Sequence, residues 1–291
     1  MSSDRASTAA TFDCPSCGVE SAGGFCRNCG EKKAGPRDFT LRHYFDVAIN
    51  FLTHFDTKGY RTLWLVVSKP GYLSTEYLRG SRVRYLKPFP LFVALSVVYF
   101  LSATLFTIST FTTPLALQLR MNDYYPAYAQ AQVDKKMNRA NISYEVLEAR
   151  YNDRAGVLSR TLVFLFIPIF AAMFYALFFT KRKYFVEHVV VATHFWSFNL
   201  ILLGIILPLV TLPLVLLFGG PSVSAAYATH DNVLSALLQI CFAVYLFLML
   251  RRVYGVNNWY SAVISLAIAW SMFHILWLYR FILFVITMKL I

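Results

Sequence analysis

Cys14-Pro15-Ser16-Cys17-Gly18 and Phe25-Cys26-Arg27-Asn28-Cys29-Gly30 form two Cys-x-x-Cys-Gly turns with eight residues between them. Each turn brings two sulfurs toward one point, and Zn²⁺ takes four thiolates in a tetrahedron. The spacing therefore assigns Cys14, Cys17, Cys26 and Cys29 as ligands of one Zn²⁺. Gly18 and Gly30 supply the positive φ that such turns require. A closed four-sulfur shell leaves no position for water, so the predicted site is structural rather than hydrolytic. A pair of redox dithiols is the alternative, but it calls for a thioredoxin-like context that this sequence lacks. A unit this small has almost no apolar core, so metal binding is expected to supply most of its folding energy. Val19 to Gly24 contain no basic residue, which argues against nucleic acid as the partner. Two uses remain: docking of a cytosolic protein, or capping of the chain's own membrane bundle.

The other candidate chemistry lies in apolar segments, where an ionisable group is costly and draws attention by default. Glu187 and His188 enter the third such segment, which also carries His194 and Asn199; His274 lies in the fifth. Glu187 and His194 are seven residues apart, so they share a helical face but stand about 10 Å apart along the axis. No His-x-x-x-His or Glu-x-x-His spacing supports an intramembrane metal. His194 and His274 are expected at different depths, each bonded to a neighbouring helix rather than to the other. Gly204, Pro208 and Pro213 interrupt the third segment, and broken helices of this kind occur in transporters. An enzyme acting on inner-leaflet lipids would draw on His54, Asp56, Glu187 and His188, yet no nucleophile elbow, phosphate loop or carboxylate cluster accompanies them. No catalytic residue is assigned.

These groups must be positioned by helices in lipid. Of 291 residues, 57% are hydrophobic, 17% aromatic and 14% charged, more apolar and less charged than an ordinary soluble domain. Spanning a hydrocarbon layer of about 30 Å takes about 20 apolar residues in helix. Five segments reach that length, near 89–112, 161–180, 189–217, 233–250 and 260–284. The residues before them divide into a disordered tail (1–13), the zinc ribbon (14–30), a charged linker (31–37) and a cytosolic amphipathic and basic region (38–88). Residues 89–291 then form the transmembrane bundle, with an external loop at 113–160. From Thr40, the residues Leu41, Tyr44, Phe45, Ala48, Phe51, Leu52 and Phe55 recur at helical spacing and form one apolar stripe.

The net charge of +12 resides beside the apolar segments. Seven Lys or Arg against one acid, Glu76, lie between Lys58 and Lys87. Arg79, Arg82, Arg84 and Lys87 of this collar are expected to meet anionic lipid headgroups. Lys181-Arg182-Lys183 and Arg251-Arg252 occupy two short loops, whereas Gly219 to Asn232 contain no base. The positive-inside rule then places the amino terminus in the cytosol and the carboxyl terminus outside. The 113–160 loop, with seven bases, is long enough to cross regardless of charge. Its stretch Tyr144 to Leu158 predicts a surface helix, in a region too short for an independent core of any size. The polar first fourteen residues carry no secretory signal.

Several of these motifs together resemble a family described as domain of unknown function 3667. They are the two cysteine turns, Asp56 with Thr62-Leu63, Pro70-Gly71, Tyr77-Leu78-x-Gly80-x-Arg82, Arg84-Tyr85-x-x-Pro88 and Glu187-His188. The resemblance implies a bacterial inner-membrane protein with an amino-terminal zinc ribbon, and it implies no reaction. The sequence thus predicts an all-α integral membrane protein, a five-helix bundle bearing a small four-Cys ribbon. Its expected role is a membrane-anchored docking or regulatory component; a solute or ion transporter is the alternative, ahead of a lipid-modifying enzyme.

Overall fold

The computed structural model describes residues 11–14, 17–28, 30, 57–81, 84–106, 110–120, 125–182, 184–218 and 231–291. The apolar stripe from Thr40, with His54 and Asp56, lies outside them, as do Cys29, Arg82 and Lys183. Near the start, β1 (Thr11–Asp13) pairs antiparallel with β2 (Glu20–Ala22). β1 falls inside the stretch expected to be a disordered tail, which is corrected at that end: hydrogen bonding to β2 orders Thr11 to Asp13.

The remaining described elements are helical. α1 (Thr57–Ser68) and α2 (Tyr72–Leu78) form a hairpin whose turn is Lys69-Pro70-Gly71. α3 (Pro88–Phe106) follows, then α4 (Leu115–Arg120) and α5 (Pro126–Ala140). α6 (Tyr144–Leu162) runs through a 3₁₀ turn into α7 (Phe166–Phe178). α8 (Phe185–Ile201) continues through a π-helical turn (Leu202–Ile206) into α9 (Leu207–Phe218). α10 (Asp231–Tyr254) and α11 (Asn258–Leu290) complete the chain.

Five helical runs are long and apolar enough to cross a membrane: Pro88–Phe106, Tyr144–Phe178, Phe185–Val210, Ser235–Tyr254 and Asn258–Leu290. Each expected span corresponds to one of them. α8 holds the middle, with every residue from Val190 to Gly204 buried, and packs on α3 and α7. Aromatic rings fill its contacts: Phe166 of α7 stacks on Trp196 at 4.2 Å, and Tyr245 of α10 stacks on Phe198 at 3.7 Å. α10 and α11 pack along each other beside it.

The basic loops gather at one end of the bundle. The Arg182 guanidinium donates to the Val253 carbonyl, Arg252 donates to the Pro70 carbonyl at 2.6 Å, and Phe178 stacks on Tyr254. The 113–160 region lies at the opposite end. There Lys136 donates to the Met288 carbonyl and the Tyr279 hydroxyl donates to the Ser159 carbonyl. This region is more ordered than a loop with one surface helix. Leu115, Ala129, Val133, Leu147, Tyr151 and Ala155 form a buried cluster with Phe284 and Met288 of α11. Its core is therefore not independent, as the short length requires, because α11 supplies part of it. At 33 residues α11 is about 50 Å long, well beyond a 30 Å hydrocarbon layer, and its surplus turns complete this cluster.

The α1–α2 hairpin departs from a simple surface collar. Leu65, Val66 and Leu73 are buried in the main core, and α2 touches both α8 and α10. Its turn depends on Gly71, at φ 76°, where a Cβ would stand 3.0 Å from the Met249 carbonyl oxygen and 3.0 Å from a Val253 methyl. Gly71→Ala thus meets both left-handed strain and a clash with α10 backbone, a combined loss of about 2–4 kcal/mol. Gly156→Ala in α6 meets no atom within 4 Å and gains helix propensity. Thermal unfolding of the purified chain in detergent should place Gly71→Ala several degrees below wild type and Gly156→Ala at or above it.

Candidate functional site

Three of the four predicted ligand thiols come together among the described residues. The ligand atoms of Cys14, Cys17 and Cys26 all lie within 4.8 Å of one another, with the Cys17 and Cys26 sulfurs 3.4 Å apart. Tetrahedral Zn²⁺ with bonds of about 2.3 Å sets its sulfurs about 3.8 Å apart, so three thiols fit one ion. The Gly18 N–H donates to the Cys14 carbonyl and the Gly30 N–H to the Cys26 carbonyl, with φ of 69° and 72°. Both glycines thus close their turns in the left-handed conformation. The Ser21 hydroxyl donates to the Cys26 sulfur and accepts the Arg27 N–H, a contact of the kind that orients a metal ligand. Sequence reasoning missed Ser21, which carries no spacing signal. Beside the thiols, Phe25 and Val19 are exposed.

Within the bundle, Glu187 and His188 have structural occupations. Glu187 accepts from Arg182 at 3.0 Å and from the Tyr184 N–H, capping the first turn of α8. His188 is fully buried, with Nε2 3.1 Å from the Arg182 carbonyl and Nδ1 2.9 Å from the Tyr254 hydroxyl. A carbonyl only accepts, so Nε2 donates and, in the neutral ring, Nδ1 accepts from Tyr254. His188 thereby ties the loop after α7, the start of α8 and the end of α10.

His194, buried nine residues into α8, has Nδ1 2.9 Å from the Ser74 hydroxyl of α2. Asn199 donates to the Phe195 carbonyl, while its Oδ1 is buried without a partner among the described residues. His274 behaves differently from the expectation of a helix-bridging histidine. It is exposed on α11, where Nδ1 lies 3.4 Å from the Trp270 carbonyl of its own helix and its ring packs on Trp270. The physical reason is register: α11 turns residues 270, 273 and 274 outward, toward lipid. His194 and His274 are not brought together.

Gly204, Pro208 and Pro213 do not break the third span. Pro208 has no N–H to return to the Gly204 carbonyl. The π turn at Leu202–Ile206 takes up the change of register, and α9 continues with Pro213 inside it. Gly204 lies against Tyr99 of α3, whose Cα would be 3.0 Å from an added Cβ. The interruption is thus also a close helix crossing.

In the collar, Arg79 pairs with Glu76 at 3.3 Å, while Arg84 and Lys87 are exposed. Arg84 approaches the Tyr85 ring at 5.9 Å, and Arg61 approaches the same ring at 5.6 Å. The Tyr85 hydroxyl lies 3.2 Å from that of Tyr72. Burial, followed by the Tyr72 hydrogen bond, pushes the Tyr85 phenol above its ordinary pKa, against the opposing pull of Arg84 and Arg61. Thr62, fully buried in α1, accepts the Leu86 N–H and so fixes the approach to α3.

Residues 56–100 match the family model described as protein of unknown function (DUF3667). The resemblance read from Thr62-Leu63, Pro70-Gly71, Tyr77-Leu78 and Arg84-Tyr85 falls inside this match. No curated protein and no solved structure matches the chain. The matched segment comprises the α1–α2 hairpin and the first part of α3, so it holds Ser74, Gly71 and the Tyr72–Tyr85 pair.

Among the described residues, the buried Ser74–His194 bond links the matched segment to α8. Ser74→Ala strands the His194 Nδ1 and should cost about 1–3 kcal/mol. Adding His194→Leu removes the stranded group and should recover part of that loss, read as a non-additive double-mutant cycle in thermal unfolding; additive losses would show that the bond carries no coupling.

Proposed function

We propose that the chain is a membrane-anchored docking component whose amino-terminal knuckles bind one structural Zn²⁺ through Cys14, Cys17, Cys26 and Cys29. The observation that supports this reading is the convergence of three thiols beside exposed Phe25 and Val19. A metal held by four thiolates supplies folding energy and no open coordination position. What it stabilises is a surface, and an exposed aromatic beside a rigid turn suits a protein partner. In this reading the ribbon and the basic end of the bundle share the cytosol of a bacterium, the bundle lies in its inner membrane, and the carboxyl terminus faces outward. The 14–30 ribbon and the 31–37 linker act as a tether for the partner.

Within the bundle, Glu187, His188 and His194 are engaged in holding helix ends and neighbouring helices together. His188 bonds Arg182 and Tyr254, Glu187 caps α8, and His194 bonds Ser74. This arrangement suits an anchor better than a reaction centre.

Native co-purification in mild detergent tests the proposal, at matched membrane levels. Wild-type chain should carry about one Zn²⁺ per chain and a cytosolic protein; Cys14→Ser/Cys17→Ser should lose both. Phe25→Ser should keep zinc and lose the partner at least tenfold. Retention of the same proteins by all three, or absence of a partner from wild type, would make the ribbon an internal cap.

A further inference from the structure

The described residues of the 56–100 segment contain a group of cations without counter-charge. Arg61 of α1 and Arg84, just before α3, both approach the Tyr85 ring, and Lys69 in the hairpin turn approaches the Tyr72 ring at 5.8 Å. Among the described residues none of the three has a carboxylate partner, because Glu76 is taken by Arg79 and Ser81. The rings attract these cations, and repulsion among like charges offsets part of that attraction. An anion among them would remove that repulsion.

The phenols add a donor. Tyr72 and Tyr85 share one hydrogen bond at 3.2 Å, so one hydroxyl donates to the other and the accepting hydroxyl keeps its own hydrogen. That hydrogen has no other acceptor among the described residues. Tyr85 is buried while Arg61, Lys69 and Arg84 are exposed, so the donor lies at the base of the cluster and the charges lie at its rim.

The level of the cluster relative to the bilayer indicates the source of the anion. On α1, Tyr60 and Trp64 are one turn apart and 66% and 62% exposed, while Thr62, Leu65 and Val66 face inward. Exposed Trp and Tyr on a helix that lies beside a membrane span belong at the headgroup level. Phe89, in the first turn of α3, extends an exposed apolar surface from this point along the bundle.

We infer that Arg61, Lys69 and Arg84, with the Tyr72–Tyr85 hydroxyl pair, form a binding site for the phosphate group of an anionic phospholipid, whose acyl chains lie along α3. The site differs from a diffuse basic collar in having a defined floor, with Arg61 and Arg84 on the Tyr85 ring and Lys69 on the adjoining Tyr72 ring. It does not depend on the zinc knuckles.

The test uses the full chain in dodecyl maltoside, titrated with dihexanoyl phosphatidylglycerol, dihexanoyl phosphatidylcholine or inorganic phosphate, and followed by thermal shift and tryptophan fluorescence. Phosphatidylglycerol should bind wild type at least tenfold more tightly than phosphatidylcholine. Arg61→Gln/Arg84→Gln should lose at least tenfold, Tyr85→Phe should lose severalfold, and Arg150→Gln/Arg154→Gln at the far end should match wild type. Equal binding of the two lipids to wild type overturns the site, whatever the variants do. So does unchanged phosphatidylglycerol affinity in a double variant that melts like wild type. A stabilisation by inorganic phosphate equal to that by phosphatidylglycerol overturns the lipid as its source.

Discussion

Polar groups inside a hydrocarbon layer find no water, and α8 is the helix on which this constraint falls hardest. In its apolar window 83% of residues are buried by protein, against 39% or less in each of the other four spans. His188, Thr193, His194, Ser197 and Asn199 all lie on this enclosed helix. Thr193, Ser197 and Asn199 return to carbonyls one turn back, and the two histidines reach outward to Tyr254 and Ser74. The surrounding elements are placed by what α8 needs from them.

The α1–α2 hairpin is the clearest consequence. A seven-residue helix such as α2 has little stability of its own, so its order comes from burial against α8 and α10. Pro70 and Gly71 allow the turn to sit against α10, where Arg252 donates to the Pro70 carbonyl and Tyr245 donates to the Val66 carbonyl. Arg182 and Arg252 therefore serve twice. Their charge biases one end of the bundle toward one side of the membrane, and their guanidinium groups satisfy carbonyls that the helix ends leave open.

At the other end a similar dependence rests mainly on apolar packing. The helices between α3 and α7 are too few to enclose a core, and α11 runs long enough to lend Phe284 and Met288 to it. Tyr125, packed against Phe281 and Phe284, has its phenol pushed up to about 12 by burial. The last turns of α11 are thus held by the region they complete, and Lys136 caps the Met288 carbonyl.

The sequence alone determined the five apolar runs and the two Cys-x-x-Cys-Gly turns, because each is written in neighbouring residues. Apolar runs of sufficient length must leave water, and each Cys-x-x-Cys-Gly turn closes on itself through a bond spanning four residues, Gly18 to Cys14 and Gly30 to Cys26. Partnership between distant groups was not legible in this way. Ser74 and His194 are 120 residues apart and Tyr254 and His188 are 66 apart, and neither Ser74 nor Tyr254 differs locally from any other serine or tyrosine near an apolar run. His194 and His274 read alike as histidines within spans, yet one is enclosed and the other faces outward. Only the tertiary structure decided between them, because the face a helix turns inward depends on its neighbours, and in a chain apolar on nearly every face the local pattern does not specify it.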